Sequence, residues 1–278
     1  MVLAVAACSS ASKPHAVQDM FSKADAYEHY MGRWSHSLAP AFVAFAEVHD
    51  GAAVLDVGSG TGVLSFAVRD ATKTSRITGI DFSADYVAYA ARHADPRVRF
   101  QVADAQQLPF PDASFDTTLS LLVINFIPDP ARAVTEMKRV TKPGGTIAAA
   151  VWDYGEAMQM LRVFWDEAVA VDPSIEPRDE RHMPLVRAGE LGALWKQQGL
   201  DDVHEAPLTV VLHFASFDDY WAPFLLGQGP AGAFVVALPK DRQAELERRL
   251  RKRLLGEGPD RPIDLQARVW AVKGTTPR

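Results

Sequence analysis

The sequence predicts a doubly wound α/β fold, a mostly parallel sheet of seven strands wrapped by helices and extended by helical insertions. Three observations carry this expectation. From residue 52 onward, short β-type runs alternate with helical patterns, the signature of βαβ units. The first run ends in a glycine-rich turn, "VLDVGSGTG" (Val54 to Gly62). Acids then stand at the ends of three successive runs, at Asp56, Asp81 and Asp104. With 278 residues, 48% of them hydrophobic, the chain can bury a sizeable core.

The chain opens on "MVLAVAACSS", where Val5-Ala6-Ala7-Cys8 resembles a bacterial lipoprotein cleavage box. The run lacks a basic region and has only about six apolar residues, short of the ~7–15 such a signal uses. Residues 1–24 are therefore expected to be a disordered tail or to follow a start placed too far upstream. Asp25 to Ser35, "DAYEHYMGRWS", is expected to be a helix ahead of the first strand.

Strands are expected at Ala53–Val57, Arg76–Ile80, Val98–Val102, Thr117–Val123 and Thr146–Val151, with helices near Val63–Asp70, Ala84–His93 and Pro130–Val140 between them. Lys142-Pro143-Gly144-Gly145 should turn the chain into the fifth strand. Beyond Trp152 the pattern changes. Helices are expected at Met158–Val171 and Val186–Gln198, around a proline- and charge-rich loop at Asp172–Pro184. Val203–Phe214 and Ala267–Val272 can close the sheet. The stretch between them, 216–258, is expected as an insertion of two helical pieces and a "GQGPAG" turn. No internal repeat or long linker appears, so one unit with insertions at about 153–200 and 216–258 is expected.

Gly58, Gly60 and Gly62 lack the Cβ atoms that would keep a ligand from the backbone, but a bare glycine turn serves many nucleotides and also purely structural ends. Asp56 narrows the choice. A carboxylate beside this turn sits badly against a pyrophosphate and well against a cationic ligand such as S-adenosylmethionine, which carries a sulfonium and an ammonium. Asp81 stands where doubly wound folds set an acid against ribose hydroxyls, although an acid at a helix start has the same local look. Asp104 can accept from an adenine amine or simply close a turn. All three fall at strand carboxyl ends, where open α/β sheets bind ligands.

"VLDVGSGTG", "GIDFSADYVAYA", "VADAQQLPFPDASFD", "LSLLVINFIPDP" and "MKRVTKPGGTIAAAVWD" follow in order over about 52–153. Together they resemble the class I S-adenosylmethionine-dependent methyltransferases, in particular the type 11 group that includes ubiquinone/menaquinone biosynthesis C-methyltransferases. The resemblance implies a Rossmann-like methyltransferase domain over about 25–275 with an N-terminal lid helix. It implies that Asp56 and the backbone of Gly58, Gly60 and Gly62 hold the methionine end, and that Asp81 binds the ribose beside Phe82. Asp104 and the Ala105 backbone would read the adenine edge, and Ser120 and Leu121 would line the methionine and ribose side. Asn125 departs from the pattern, since many relatives carry a histidine in that segment. In the lid, Tyr30 and Arg33 would meet the cofactor, Arg33 through the methionine carboxylate; alternatively Tyr27, Tyr30 and Trp34, at helical spacing, pack the helix on the sheet.

The expected reaction is in-line methyl transfer to a small organic molecule, for which alignment and water exclusion can suffice. If a base is needed, His182, His213 and Asp153 are the candidates, each also readable as an ordinary surface or packed residue. The residues Asn125-Phe126-Ile127-Pro128 replace the Pro-Pro-aromatic tetrad of base and glutamine methylation, and Cys8 is the only cysteine. No Asp-Asn dipeptide is present to hold magnesium, so a metal-free enzyme is expected. A nicotinamide-dependent oxidoreductase and a non-catalytic cofactor-binding protein are the alternatives.

The net charge of −6 offers no general attraction to nucleic acid or an anionic membrane. "KDRQAELERRLRKRL", Lys240 to Leu254, is basic, but Ala244, Leu246, Leu250 and Leu254 make it a helix with a solvated basic face. Phe164, Trp165, Phe217, Tyr220, Trp221 and Phe224 either line an acceptor pocket or form core. A single cysteine and no long apolar run favour a cytoplasmic protein without a membrane span. The acceptor and the oligomeric state have no signature in the sequence.

Overall fold

The structure, a computed structural model, describes residues 24–278. Cys8 and the lipoprotein-like box lie outside the described residues. Seven strands form one sheet: β1 (Ala53–Val57), β2 (Arg76–Asp81), β3 (Val98–Val102), β4 (Phe115–Leu121), β5 (Thr141–Trp152), β6 (Asp201–Phe214) and β7 (Ile263–Thr275). Their spatial order is β3-β2-β1-β4-β5-β7-β6. Strands β1 to β5 pair in parallel, while β7 runs antiparallel to both β5 and β6. The order reverses at β1, between β2 and β4, and such a switch point opens a crevice beyond the strand carboxyl ends.

The helices are α1 (Ala24–Tyr27), α2 (Arg33–Phe45), α3 (Val63–Ala71), α4 (Ala84–Ala91), α5 (Pro130–Val140), α6 (Gln159–Val171), α7 (Glu190–Gln197), α8 (Phe217–Trp221), α9 (Gly229–Ala237) and α10 (Lys240–Leu255). A π-helical turn, Glu28–Gly32, joins α1 to α2. Helix α5 shows how local sequence sets these ends. Asp129 accepts from the Arg132 N–H at 2.9 Å, Pro130 occupies the first turn, and Ala133, Val134, Met137 and Val140 form the buried stripe.

Several boundaries differ from the sequence expectation for identifiable reasons. Strand β4 stops at Leu121 because Leu122 adopts φ +65°. Strand β5 begins at Thr141 and bulges through Lys142–Gly145, with Gly144 at φ +76°, so the proline-glycine segment interrupts the ladder without ending it. The helix expected from Val186 starts at Glu190, where Gly189 at φ +83° turns the chain. "GQGPAG" is less a turn than a helix start, with Pro230 in the first turn of α9.

The six aromatics of the insertions are core. Phe164 stacks on Phe224 at 4.6 Å, and Tyr220 donates its hydroxyl to the Met160 carbonyl at 3.0 Å. Helix α10 buries Gln243, Leu246, Leu250 and Leu255, with Ala244 exposed, so its inner face is rotated slightly from the expected one. Its Arg249 reaches Glu167 of α6 at 2.9 Å.

Candidate functional site

A cavity of about 530 Å³ opens at the carboxyl ends of β1 to β4. The glycine turn forms one wall. The Gly58 and Ser59 N–H groups both donate to the Ile80 carbonyl at 2.8 Å, and Gly60 N–H donates to Asp81 Oδ2 at 2.9 Å, stapling the turn to β2. Gly58 sits at φ +76°, where a Cβ would fall 2.5 Å from Val123 Cγ1, so only glycine fits.

Asp56 is 1% exposed and faces the cavity. The Ser65 hydroxyl donates to its Oδ2 at 2.7 Å, and Oδ1 has no hydrogen-bond partner among the described residues. Burial pushes the Asp56 carboxyl up to about 7; the Asp81 charge adds to this and the Ser65 hydrogen bonds oppose it. Asp81 accepts from Gly60 N–H and from Ser83 N–H, the latter at 2.8 Å on Oδ1. Burial raises its carboxyl too, against the lowering effect of the Ser83, Gly60 and Phe82 N–H groups.

Phe82, Asp104, Ala105 and Leu121 also line the cavity. Asp104 Oδ1 accepts from the Gln106 N–H at 2.8 Å, which orients the carboxylate at the end of β3. From the N-terminal segment come Tyr27, Tyr30, Met31 and Ser35, so the π-helical turn turns two side chains toward the cavity. The Tyr30 hydroxyl is buried with no hydrogen-bond partner among the described residues.

Other expected site residues are elsewhere. Arg33 is not on the cavity wall: its guanidinium donates to Asp219 Oδ1 at 2.8 Å and lies 4.2 Å from the Trp34 ring centroid, tying the N-terminal helix to the second insertion. Trp34 itself packs edge-on against Phe214. Gly62 does not line the cavity; at φ +94° it starts α3, where a Cβ would meet Phe66 at 2.6 Å. Ser120 is fully buried, one residue before the strand end, and also lies off the wall.

None of the three candidate bases reaches the cavity. Asp153 is buried in an ion pair with Arg268, whose Nε donates to Oδ2 at 2.9 Å, and it also accepts from Glu156 N–H. His182 pairs with Glu176 at 2.7 Å, and His213 pairs with Asp264 at 2.6 Å, all four side chains being largely exposed.

The sequence reading missed Glu180. It is 3% exposed yet lines the cavity, together with Trp152, Tyr154, Leu161, Gly229 and Pro230. Its loop consists of two short 3-10 turns, Pro173–Arg178 and Glu180–His182, and such turns carry no apolar period to signal an inward acid. Asp179 anchors the loop through Arg162 and through Arg181 Nε at 2.7 Å.

Among the described residues, four carboxylates line the cavity (Asp56, Asp81, Asp104 and Glu180) and no Lys, Arg or His does. Such a site suits a ligand with cationic groups and opposes a pyrophosphate. At this wall Asp56 Oδ1, the Ser59 hydroxyl and the phenols of Tyr30 and Tyr86 are buried without hydrogen-bond partners among the described residues. Each unmade hydrogen bond costs about 1–3 kcal/mol, so a ligand rich in ammonium and hydroxyl groups fits the donor set.

Strand order, glycine turn and acid positions together define a class I methyltransferase fold. Residues 55–149 match the family model described as a methyltransferase domain, and the seven-stranded, mostly parallel sheet is the Rossmann-like fold of such enzymes. The chain is 32% identical over 151 residues to the ubiquinone/menaquinone biosynthesis C-methyltransferase UbiE of Bdellovibrio bacteriovorus, a match covering 51% of this chain and 63% of the relative. It is also 32% identical to the 2-methyl-6-phytyl-1,4-hydroquinone methyltransferase of Synechocystis, over 56% of this chain and 47% of that protein. The chain thus spans less than two thirds of the length of these relatives. Among solved structures, the YcgJ protein of Bacillus subtilis superimposes with TM-score 0.57 at 21% identity, covering 88% of this chain and 99% of that one. Haemonchus contortus phosphoethanolamine N-methyltransferase 2 gives the same TM-score at 18% identity, covering 94% of this chain and 58% of its own. At such identities the structural likeness speaks for the fold.

Proposed function

We propose that the protein transfers a methyl group from S-adenosylmethionine to a small organic molecule. The observation that carries this reading is the cavity lined, among the described residues, by four carboxylates and no basic side chain. The same charge argues against the nicotinamide alternative, whose pyrophosphate would be repelled.

The sulfonium of the donor supplies a methyl group already activated for displacement. The chain's own work is then to bind and align. Asp56 Oδ1 takes the amino-acid ammonium, Asp81 accepts the ribose hydroxyls, and Phe82, Asp104 and Ala105 flank the adenine. Tyr27, Tyr30 and Met31 close over the top and exclude water. We take residues 25–275 as one methyltransferase unit whose insertions, 153–200 and 216–258, cover the acceptor side. Among the described residues no helix is long and apolar enough to cross a membrane. The single cysteine suits a reducing cytoplasm.

Calorimetry with S-adenosylhomocysteine tests the reading. Saturable binding by the wild type, strongly weakened in Asp81→Ala, is expected; equal affinity in the two proteins would sink it. Incubation with methyl-labelled donor and a cell extract would then reveal the acceptor, and tight binding without any labelled product would favour a non-catalytic role.

A further inference from the structure

We propose that Glu180 is the catalytic base of this site and that the acceptor is an uncharged compound bearing a phenolic or enolic hydroxyl on an apolar body. The inference rests on the methyl-transfer reading and names its substrate class.

The cavity has two chemically different ends. The glycine turn and the tails of β1 to β3 supply Asp56, Asp81 and Asp104, whose work is done by donor binding. The end built by the tail of β5, the insertions and the lid presents Met31, Trp152, Tyr154, Leu161 and Pro230, an apolar and aromatic surface with one carboxylate in it, Glu180. That carboxylate is held rather than loose. Trp165 Nε1 donates to Oε2 at 2.6 Å, and Oε1 takes no hydrogen bond among the described residues. Asp179, fully buried beside it, is clamped by Arg162 and Arg181 and fixes the loop from behind. An acid 3% exposed that makes no ion pair among the described residues, with the nearby Arg162 committed to Asp179, is costly to keep unless it serves a ligand.

The charged and titratable groups facing Glu180 come from several elements. Asp179 adjoins it in its own loop, Arg162 faces it from α6, Tyr30 from the lid turn and Tyr154 from the segment after β5. Burial pushes the Glu180 carboxyl up to about 7; the Trp165 hydrogen bond opposes this, Asp179 adds to it and Arg162 subtracts. A base poised there accepts a proton from a hydroxyl acceptor and is charged at neutral pH often enough to do so. Burial first, and then the Glu180 charge, hold the Tyr30 and Tyr154 phenols well above their usual value, so both stay neutral.

The step balances. The acceptor oxygen, or the ring carbon conjugated with it, forms a bond to the methyl carbon while the carbon–sulfur bond breaks. The electron pair of that bond stays on sulfur. When oxygen is methylated, the hydroxyl proton passes to Glu180 Oε1. When the ring carbon is methylated, the hydroxyl proton likewise goes to Glu180, and enolisation of the resulting ring ketone moves the ring proton to its carbonyl oxygen, restoring the hydroxyl. In both cases a sulfonium and a carboxylate become a thioether and a carboxylic acid, and the loss of two opposite charges is favoured in a water-poor cavity. An ammonium acceptor would instead pair with Glu180 and keep its nitrogen protonated. A carboxylate acceptor would be repelled by all four acids.

The test uses a series of para-substituted phenols and matched benzylamines with methyl-labelled donor, alongside S-adenosylhomocysteine calorimetry. Wild type is expected to label the phenols, with a rate that rises with pH through a limb near 7. In Glu180→Gln, kcat should fall about 10²–10⁴-fold and the limb should vanish, with the calorimetric affinity unchanged. Tryptophan emission of the protein alone should titrate near pH 7 in wild type and not in this variant, since Trp165 reports on the carboxyl. Trp165→Phe, which removes the donor to Oε2, should move the limb to higher pH and keep the plateau rate. Wild-type turnover of phenols by Glu180→Gln would overturn the proposal. So would a wild type that binds S-adenosylhomocysteine but labels only amines, or nothing in the series. Absence of any saturable S-adenosylhomocysteine binding is a separate outcome, and it removes the methyl-transfer reading itself.

Discussion

The Ser65 hydroxyl donates to Asp56 Oδ2 at 2.7 Å and ties the end of β1 to the helix that follows the glycine turn. Among the described residues it is the one side-chain hydrogen bond that holds the Asp56 carboxylate, and Oδ1 is left without a partner. Ser65→Ala withdraws a donor from the charged form, so the carboxyl should rise further above about 7. Affinity for S-adenosylhomocysteine should drop roughly tenfold at neutral pH, in line with a hydrogen bond to a charged group. It should recover toward pH 8.5, where the acid ionises in both proteins. Calorimetry across pH checks this, and a loss independent of pH would contradict it.

Stability should respond to the buried acids with a definite sign. Burial raises Glu180 from 4.5 to about 7 in the folded chain. The folded state therefore holds a proton that the unfolded chain has released, and stability from this group falls as pH climbs from about 4.5 to about 7. At about 1.4 kcal/mol per pH unit the full loss is roughly 3 kcal/mol. Glu180→Gln keeps an acceptor for Trp165 and removes the titration. Its melting temperature should exceed that of the wild type at pH 8 and converge on it near pH 4.5.

Gly62 and Gly58 should fail in different ways. Gly62→Ala meets Phe66 and a left-handed backbone away from the cavity, and should cost about 1–3 kcal/mol of stability with little change in ligand affinity of the folded protein. Gly58→Ala drives Val123, a cavity-lining residue, out of place and should lose affinity as well. Urea titration and calorimetry on the same samples separate the two effects.

Arg33 and Asp219, each about 30% exposed at the side chain, join elements 186 residues apart. A double-mutant cycle with Arg33→Ala and Asp219→Ala should show a coupling of at most about 1 kcal/mol, reduced by salt. Affinity for S-adenosylhomocysteine should change far less than in Asp81→Ala. A loss as large as that of Asp81→Ala would restore Arg33 to the binding site.

The first half of the molecule was legible because its information is local. From Ala53 to Trp152 short apolar runs, buried almost throughout in β1, β2 and β4, alternate with helices carrying a 3.6-residue stripe, and Asp56, Asp81 and Asp104 fall where those runs end. Gly62 and Ser120 show the limit of that reasoning. They share a motif with true cavity residues, but Ser120 is fully buried off the cavity wall, and close packing on Phe66 claims Gly62. Asp153, His182 and His213 were eligible by chemistry alone, and each is held by a partner distant in sequence or on the surface: Arg268, Glu176 and Asp264.

By itself, then, the sequence determined the sheet, the glycine turn and the three acids at the strand ends that line the cavity, because each is written within one strand-turn-helix unit. Tertiary structure alone decided the other end of the cavity. Glu180 reaches it only because Asp179, Arg162 and Trp165 hold an aperiodic loop against α6, and the insertion aromatics become core only because two distant segments pack on each other. Those are contacts across tens of residues, and burial, not local pattern, selects them.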